Sequence, residues 1–363
     1  RIARWIDRIL EREFAPKKLY DTLRDHTPVQ IFPRDIDYTE WETLRKYPLL
    51  NWNMGMVYNL RESDERIYPQ GELGRRTIGL TGDRGNYGIE AVYREELAGR
   101  DGRATRQRIA RGFYGRVVDG DNIDPIDGLD VVTTLDLDVQ DVANRYLREQ
   151  LEAQNAIWGT TIVMEVRTGE ILALVNLGRT PGGGYAEREN YAIGRNTEPG
   201  STFKLASMLL LLDDADMPLD QTYDTGNGRV VKVGGIRVQD SHAGFNDMDF
   251  RTAVAQSSNV YFAKAIWERY ADNKERYSDF MKKLHLDQTV GLEAFGEKKP
   301  LFQDWKEVPD PNSMLVRRSF GYRIKLSPIQ VITLYNAIAN DGKMISPILV
   351  RELRRDGDVV KHF

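Results

Sequence analysis

Apolar residues recur at helical spacing over residues 1–19, where Ile2, Trp5, Ile6, Ile9, Leu10 and Phe14 share one face. Acidic Asp7, Glu11 and Glu13 interrupt the basic residues opposite, which reads as the solvated face of a packed helix rather than a membrane-surface helix. The pattern then shortens. Val29 and Ile31 alternate within a short strand and turn over 28–37, a further helix is expected over 38–47, and 57–61 reads as a strand running towards Arg66-Ile67-Tyr68-Pro69. Residues 82–111 are rich in Gly, Arg and Glu around one expected helix, 89–97. No serine before Pro125 has a partner base, so this half reads as support rather than chemistry.

After Pro125-Ile126-Asp127-Gly128 the pattern becomes more regular. Residues 129–134 alternate as a strand does. Asp136 or Asp138 then caps an expected helix with apolar positions at Val139, Val142, Ala143, Tyr146, Leu147 and Leu151. The β-branched run 160–166, the turn Arg167-Thr168-Gly169 and the returning run 170–175 predict a hairpin. Pro181-Gly182-Gly183-Gly184 is a flexible loop without the Gly-Lys-Ser/Thr that completes a phosphate-binding loop.

The candidate chemistry follows. Pro199-Gly200 is a turn signal, and Leu205, Leu209, Leu210 and Leu211 continue without a helix breaker, so Ser201 is expected at or just inside a helix N-terminus. Three residues on, Lys204 stacks over Ser201 on the same helical face. Leucines drawing that helix into a core take the ammonium out of water, and a desolvated lysine loses proton affinity. Such a lysine can act as base for a serine attacking a carbonyl, with N–H groups at the helix start receiving the oxyanion. Taken alone, the pair has an ordinary reading as a capping serine and a snorkelling lysine. The second candidate is Ser257-Ser258-Asn259, an interruption between an expected helix over 250–256 and another over 260–270. A serine hydroxyl there can relay a proton, and the asparagine amide can hold a substrate carbonyl or the lysine; by itself this too reads as a helix cap. The sequence holds one Ser-x-x-Lys and one Ser-x-Asn.

Composition narrows the classes. A length of 363 residues allows about two domains, and 51 basic against 55 acidic residues, net −4, argue against a nucleic-acid binder. Cysteine is absent, which excludes disulfides and thiolate metal sites. No apolar run approaches the roughly 20 residues that span a bilayer, and the opening Arg1-Ile2-Ala3-Arg4 is neither a start methionine nor a signal peptide. The chain therefore reads as a fragment of something longer.

Ser-x-x-Lys followed by Ser-x-Asn resembles the active-site signature of penicillin-binding proteins and class A β-lactamases. Further stretches resemble the class B penicillin-binding proteins in that family's order: Thr133-Thr134-Leu135-Asp136-Leu137-Asp138, Met164-Glu165-Val166-Arg167-Thr168-Gly169-Glu170, Glu198-Pro199-Gly200-Ser201-Thr202-Phe203-Lys204 and Phe320-Gly321-Tyr322-Arg323-Ile324-Lys325-Leu326-Ser327-Pro328. Tyr68-Pro69-Gln70-Gly71-Glu72-Leu73 and Gly99-Arg100-Asp101-Gly102 resemble its pedestal segment. Asp224-Thr225-Gly226-Asn227-Gly228 and the stretch from Tyr335 to Lys343 look most like the division-specific, septal members, ahead of the elongation-specific ones.

The resemblance implies an α/β (α+β) transpeptidase domain, with a central antiparallel sheet flanked by helices, over 128–363. A mixed, non-catalytic pedestal over 1–127 precedes it. It implies Ser201 as nucleophile, Lys204 as base, Ser257 as proton relay and Asn259 as partner of substrate and lysine. No cofactor and no metal is needed. The implied partners are the D-Ala-D-Ala end of peptidoglycan stem peptides, β-lactams, a lipid-II polymerase and other division proteins, and the cytoplasmic membrane. A single N-terminal transmembrane helix outside this chain would hold the enzyme at the periplasmic face. One departure stands out, since the family's third motif, Lys-Thr/Ser-Gly on a strand lining the cleft, is nowhere in the sequence. A sheet open at the cleft is therefore expected, with the natural protein continuing past Phe363. A β-lactamase or β-lactam sensor and a non-catalytic division scaffold are the readings of other classes.

Overall fold

The computed structural model describes residues 66–82, 85–103, 106–110, 113–116, 122–294 and 296–363. The elements expected over 1–19, 28–37, 38–47 and 57–61 lie outside these residues.

The first described segments run through a turn at Pro69 to Gly74 into the short helix Arg75–Ile78. In place of one helix over 89–97 there are two, Gly88–Val92 and Arg94–Ala98, meeting at Tyr93 with φ −99° and ψ 27°. Ile89 and Tyr93 are buried in the same apolar cluster as Ile171 and Leu174. Tyr68–Phe363 packs as one unit.

The hairpin is longer than its sequence signal. Trp158–Met164 pairs antiparallel with Ile171–Arg179, bringing Ile162 opposite Leu174, and Tyr185–Ala186 adds a short third strand. A second sheet places Val350–Arg355 between Asp130–Thr133 and Asp358–His362. The two join near the turn of the hairpin, where Ile171 N donates to Ile348 O (2.9 Å), Ile348 N to Gly169 O (3.0 Å) and Thr134 Oγ1 to Ile171 O (2.7 Å). Among the described residues Trp158–Met164 takes no strand partner on its other edge, in keeping with the expected open sheet.

Helix Leu137–Ala153 starts at Asp136, whose carboxylate accepts from Asp138 N and Val139 N. Its buried face differs from the apolar pattern. Val142 and Tyr146 are 44% and 57% exposed, while Gln140 is buried at 1%. The glutamine is inside because its amide serves both polar groups of one strand residue, accepting from Leu174 N (2.8 Å) and donating to Leu174 O (3.0 Å).

The larger core gathers the helices that carry the candidate site. Phe203, Ala206, Leu210 and Leu211 pack with Tyr261, Phe262, Ile266 and Tyr270 of helix Asn259–Tyr270. Burying side chains of this size contributes about 1.5–3 kcal/mol each, so the two helix starts are held together by what lies beneath them. Among the described residues no helix is long and apolar enough to cross a membrane.

Candidate active site

Gly200, at φ 56°, turns the chain into one 3-10 turn, Gly200–Phe203, which runs on as the α-helix Lys204–Leu209. Phe203, Ala206 and Ser207 are buried, and Ser207 Oγ donates to Ser319 O at 2.8 Å, so the turn cannot roll. Ser201 is left exposed at its start. Lys204 lies a turn deeper and is 4% exposed.

The second strand of chemistry comes from the helix break. Helix Phe250–Ala255 ends, Ser257 takes the left-handed conformation at φ 52°, and helix Asn259–Tyr270 begins with Ser258 as its cap, accepting from Tyr261 N at 3.0 Å. For a residue with a Cβ that conformation is uncommon and persists where neighbours enforce it. Here the enforcement is visible. The Asp240 carboxylate accepts from Ser258 Oγ (2.7 Å) and Val260 N (2.9 Å), and Asn259 Nδ2 donates to Gln239 O (3.1 Å).

The structure brings Ser201, Lys204, Ser257 and Asn259 together around one atom. Lys204 Nζ is 3.2 Å from Ser201 Oγ, 3.0 Å from Ser257 Oγ, 2.6 Å from Ser257 O and 2.7 Å from Asn259 Oδ1. Two of these oxygens are carbonyls, which only accept; two are hydroxyls, which also donate. An ammonium can donate to three of these oxygens, and a neutral amine can donate to the two carbonyls and turn its lone pair to a hydroxyl. Burial favours this form by pushing the Lys204 pKa down to about 8, against the opposing pull of the Asp240 carboxylate.

Of the two residues that support this cluster, the sequence reading gives Ser258 no role of its own and passes over Asp240. Ser258 carried a signal, lying inside Ser-x-Asn. Asp240 carried none, since only the fold places it against a helix start 18 residues on. Beside Ser201, Gly321 approaches so closely that a Cβ there would fall 1.9 Å from Gly200 O, and Gly200 N donates to Gly321 O at 3.1 Å.

Comparison with known proteins places this geometry among relatives. The penicillin binding protein transpeptidase domain model matches residues 159–362. The probable peptidoglycan D,D-transpeptidase PenA of Neisseria gonorrhoeae is 30% identical over 292 residues, covering 77% of this chain and 48% of that protein. The peptidoglycan D,D-transpeptidase FtsI of Escherichia coli K12 is 26% identical over 299 residues, 78% of this chain and 48% of its own length. The chain thus spans about half the length of these curated relatives. Among solved structures, penicillin binding protein 3 of Mycobacterium tuberculosis complexed with aztreonam superposes with a TM-score of 0.66 at 23% identity, over 82% of this chain and 64% of that one.

Proposed function

Because the chain belongs to the penicillin-binding protein transpeptidase family, we propose that it is the catalytic part of a serine-type peptidoglycan D,D-transpeptidase, cross-linking stem peptides in septal wall synthesis and acylated by β-lactams. The observation that carries this is the set of oxygens around Lys204 Nζ, two carbonyls and two hydroxyls. The neutral amine takes the Ser201 proton as Oγ attacks the penultimate D-alanine carbonyl. Ser201 N–H, in a helix first turn without an intrahelical acceptor, stabilises the oxyanion. As the tetrahedral adduct collapses, the C–N bond breaks and the proton passes from Lys204 through the Ser257 hydroxyl to the departing D-alanine. The amine of a neighbouring stem peptide then attacks the ester, its proton returns by the same route, and Ser201 is released. Asn259 holds the lysine by Oδ1.

The septal assignment is supported by the family-like stretches 224–228 and 335–343, and acylation by the aztreonam complex of a structural neighbour. Within the same proposal, residues 1–127 form a non-catalytic pedestal and 128–363 the transpeptidase domain. A lipid-II polymerase and other division proteins are its partners, and a membrane anchor holds it at the periplasmic face.

The test is D-alanine release from a stem peptide ending in D-Ala-D-Ala, with an amine acceptor present, by the full-length protein. Release with formation of the cross-linked product, both lost in Ser201→Ala, is expected. Release undiminished in that variant overturns the proposal.

A further inference from the structure

Arg318 is 0% exposed at the end of helix Pro311–Arg318. Among the described residues it makes no ion pair, and the Asp304 carboxylate attracts it only from farther off. Its guanidinium instead stacks over Phe302 and Trp305, at 4.5 and 4.7 Å from the ring centroids, with Nε and Nη2 on main-chain carbonyls and Nη1 left without a hydrogen-bond partner. Nη2 donates to Gln303 O at 2.7 Å and Nε to Arg323 O at 3.2 Å. A buried charge whose counter-ion is not in contact is costly to keep, so what it holds is informative.

Arg323, its second acceptor, is itself unusual. It stands in the left-handed conformation at φ 59°, with its own side chain exposed. Its N–H donates to Glu198 Oε1 at 2.9 Å. The strained residue is thus gripped at both ends, by Arg318 at its carbonyl and by Glu198 at its amide. The segment so fixed is the seat of the nucleophile. Gly321 O accepts from Gly200 N, and Leu326 exchanges backbone hydrogen bonds with Thr197 at 2.9 and 3.0 Å. Gly200 directly precedes Ser201, and no room exists between Gly321 and Gly200 for a slipped register.

We propose that Arg318 and Glu198 are positioning residues: together they clamp the left-handed Arg323 turn against Gly200 and so set the height of Ser201 over Lys204. Neither touches the reacting atoms. Because a sub-ångström error in the attacking oxygen is felt in rate more than in binding, loosening the clamp slows acylation and leaves noncovalent affinity in place. A glycine at 323 adopts this conformation without strain, so Arg323→Gly relieves the need for the clamp.

The experiment reads acylation of the full-length protein by a fluorescent penicillin, separating the rate constant from the dissociation constant, and therefore rests on the acyltransferase function proposed above. Arg318→Met, which keeps the apolar stem, is expected to lower the rate constant about tenfold with the dissociation constant little changed. Adding Arg323→Gly should restore most of the loss. Glu198→Ala, an exposed change that does not threaten folding, should give a smaller loss with the same recovery, and decides the matter if Arg318→Met does not fold. Unaltered acylation in both single variants, a loss confined to affinity, or no recovery with Arg323→Gly overturns the clamp. If the wild type is not labelled at all, the function fails while the clamp is still read by amide exchange over 319–326. That exchange should quicken in the single variants and slow again with Arg323→Gly; exchange that does not respond overturns the clamp independently.

Discussion

Lys204 is where burial becomes chemistry. Its pKa is pushed down to about 8, chiefly by desolvation, so the base form grows as pH rises to that value and saturates above it. Acylation rates measured from pH 6 to 10 should climb to a midpoint near pH 8 and then level. The Asp240 carboxylate opposes the shift. Asp240→Asn keeps an acceptor for Val260 N while removing the charge, and should move the midpoint to lower pH; a midpoint that stays or rises would show that Asp240 does not act electrostatically on Lys204. Stability carries the same signature. Below about pH 8 the lysine is charged in both states and the fold bears its desolvation. Between about 8 and its ordinary 10.5 the unfolded chain binds the extra proton, so stability rises with pH across that window. Chemical denaturation of Lys204→Met should lose this rise, and a slope equal to the wild type's would contradict the assigned shift.

Elements differ in how far the sequence reveals them, and the division follows contact distance along the chain. Ser201 and Lys204 were legible because residues three apart on one helical face meet whatever the rest of the fold does. Ser257 to Asn259 was legible as a break between two apolar helices. Asp240 was not, because the loop that carries it meets the break only through tertiary packing. Helix Leu137–Ala153 shows the opposite error: its apolar pattern includes Val142 and Tyr146, which face outwards, and omits Gln140, which is buried. Periodicity sees hydrophobicity and not a strand backbone needing partners. Gln140→Leu therefore looks like an improved core and should behave otherwise. It leaves Leu174 N without its partner and Leu174 O with only the Thr77 hydroxyl at 3.3 Å, at a cost of about 2 kcal/mol. A thermal midpoint lowered by roughly 4 °C or more is expected, and an unchanged or raised one would mean that water replaces the amide at no cost.

At the scale of the whole molecule, the fold class was legible from several motifs in a family's order, and so was the edge of Trp158–Met164 that has no strand partner among the described residues, from a motif that the sequence lacks. What separates a transpeptidase from its hydrolytic cousins is the fate of the acyl-enzyme, because a transpeptidase must keep its ester until an amine arrives. Nitrocefin turnover by the full-length protein should stay far below the rate of about 1 per second at which ordinary enzymes begin; turnover at or above it would favour the β-lactamase reading. The central claim is that Ser201 is the nucleophile and Lys204 its base, and the most direct measurement is peptide mass mapping after incubation with benzylpenicillin. One penicilloyl adduct on the peptide containing Ser201 is expected, absent in Ser201→Ala and in Lys204→Met. An adduct on any other residue, or one that persists on Ser201 at the wild-type rate in Lys204→Met, would contradict it.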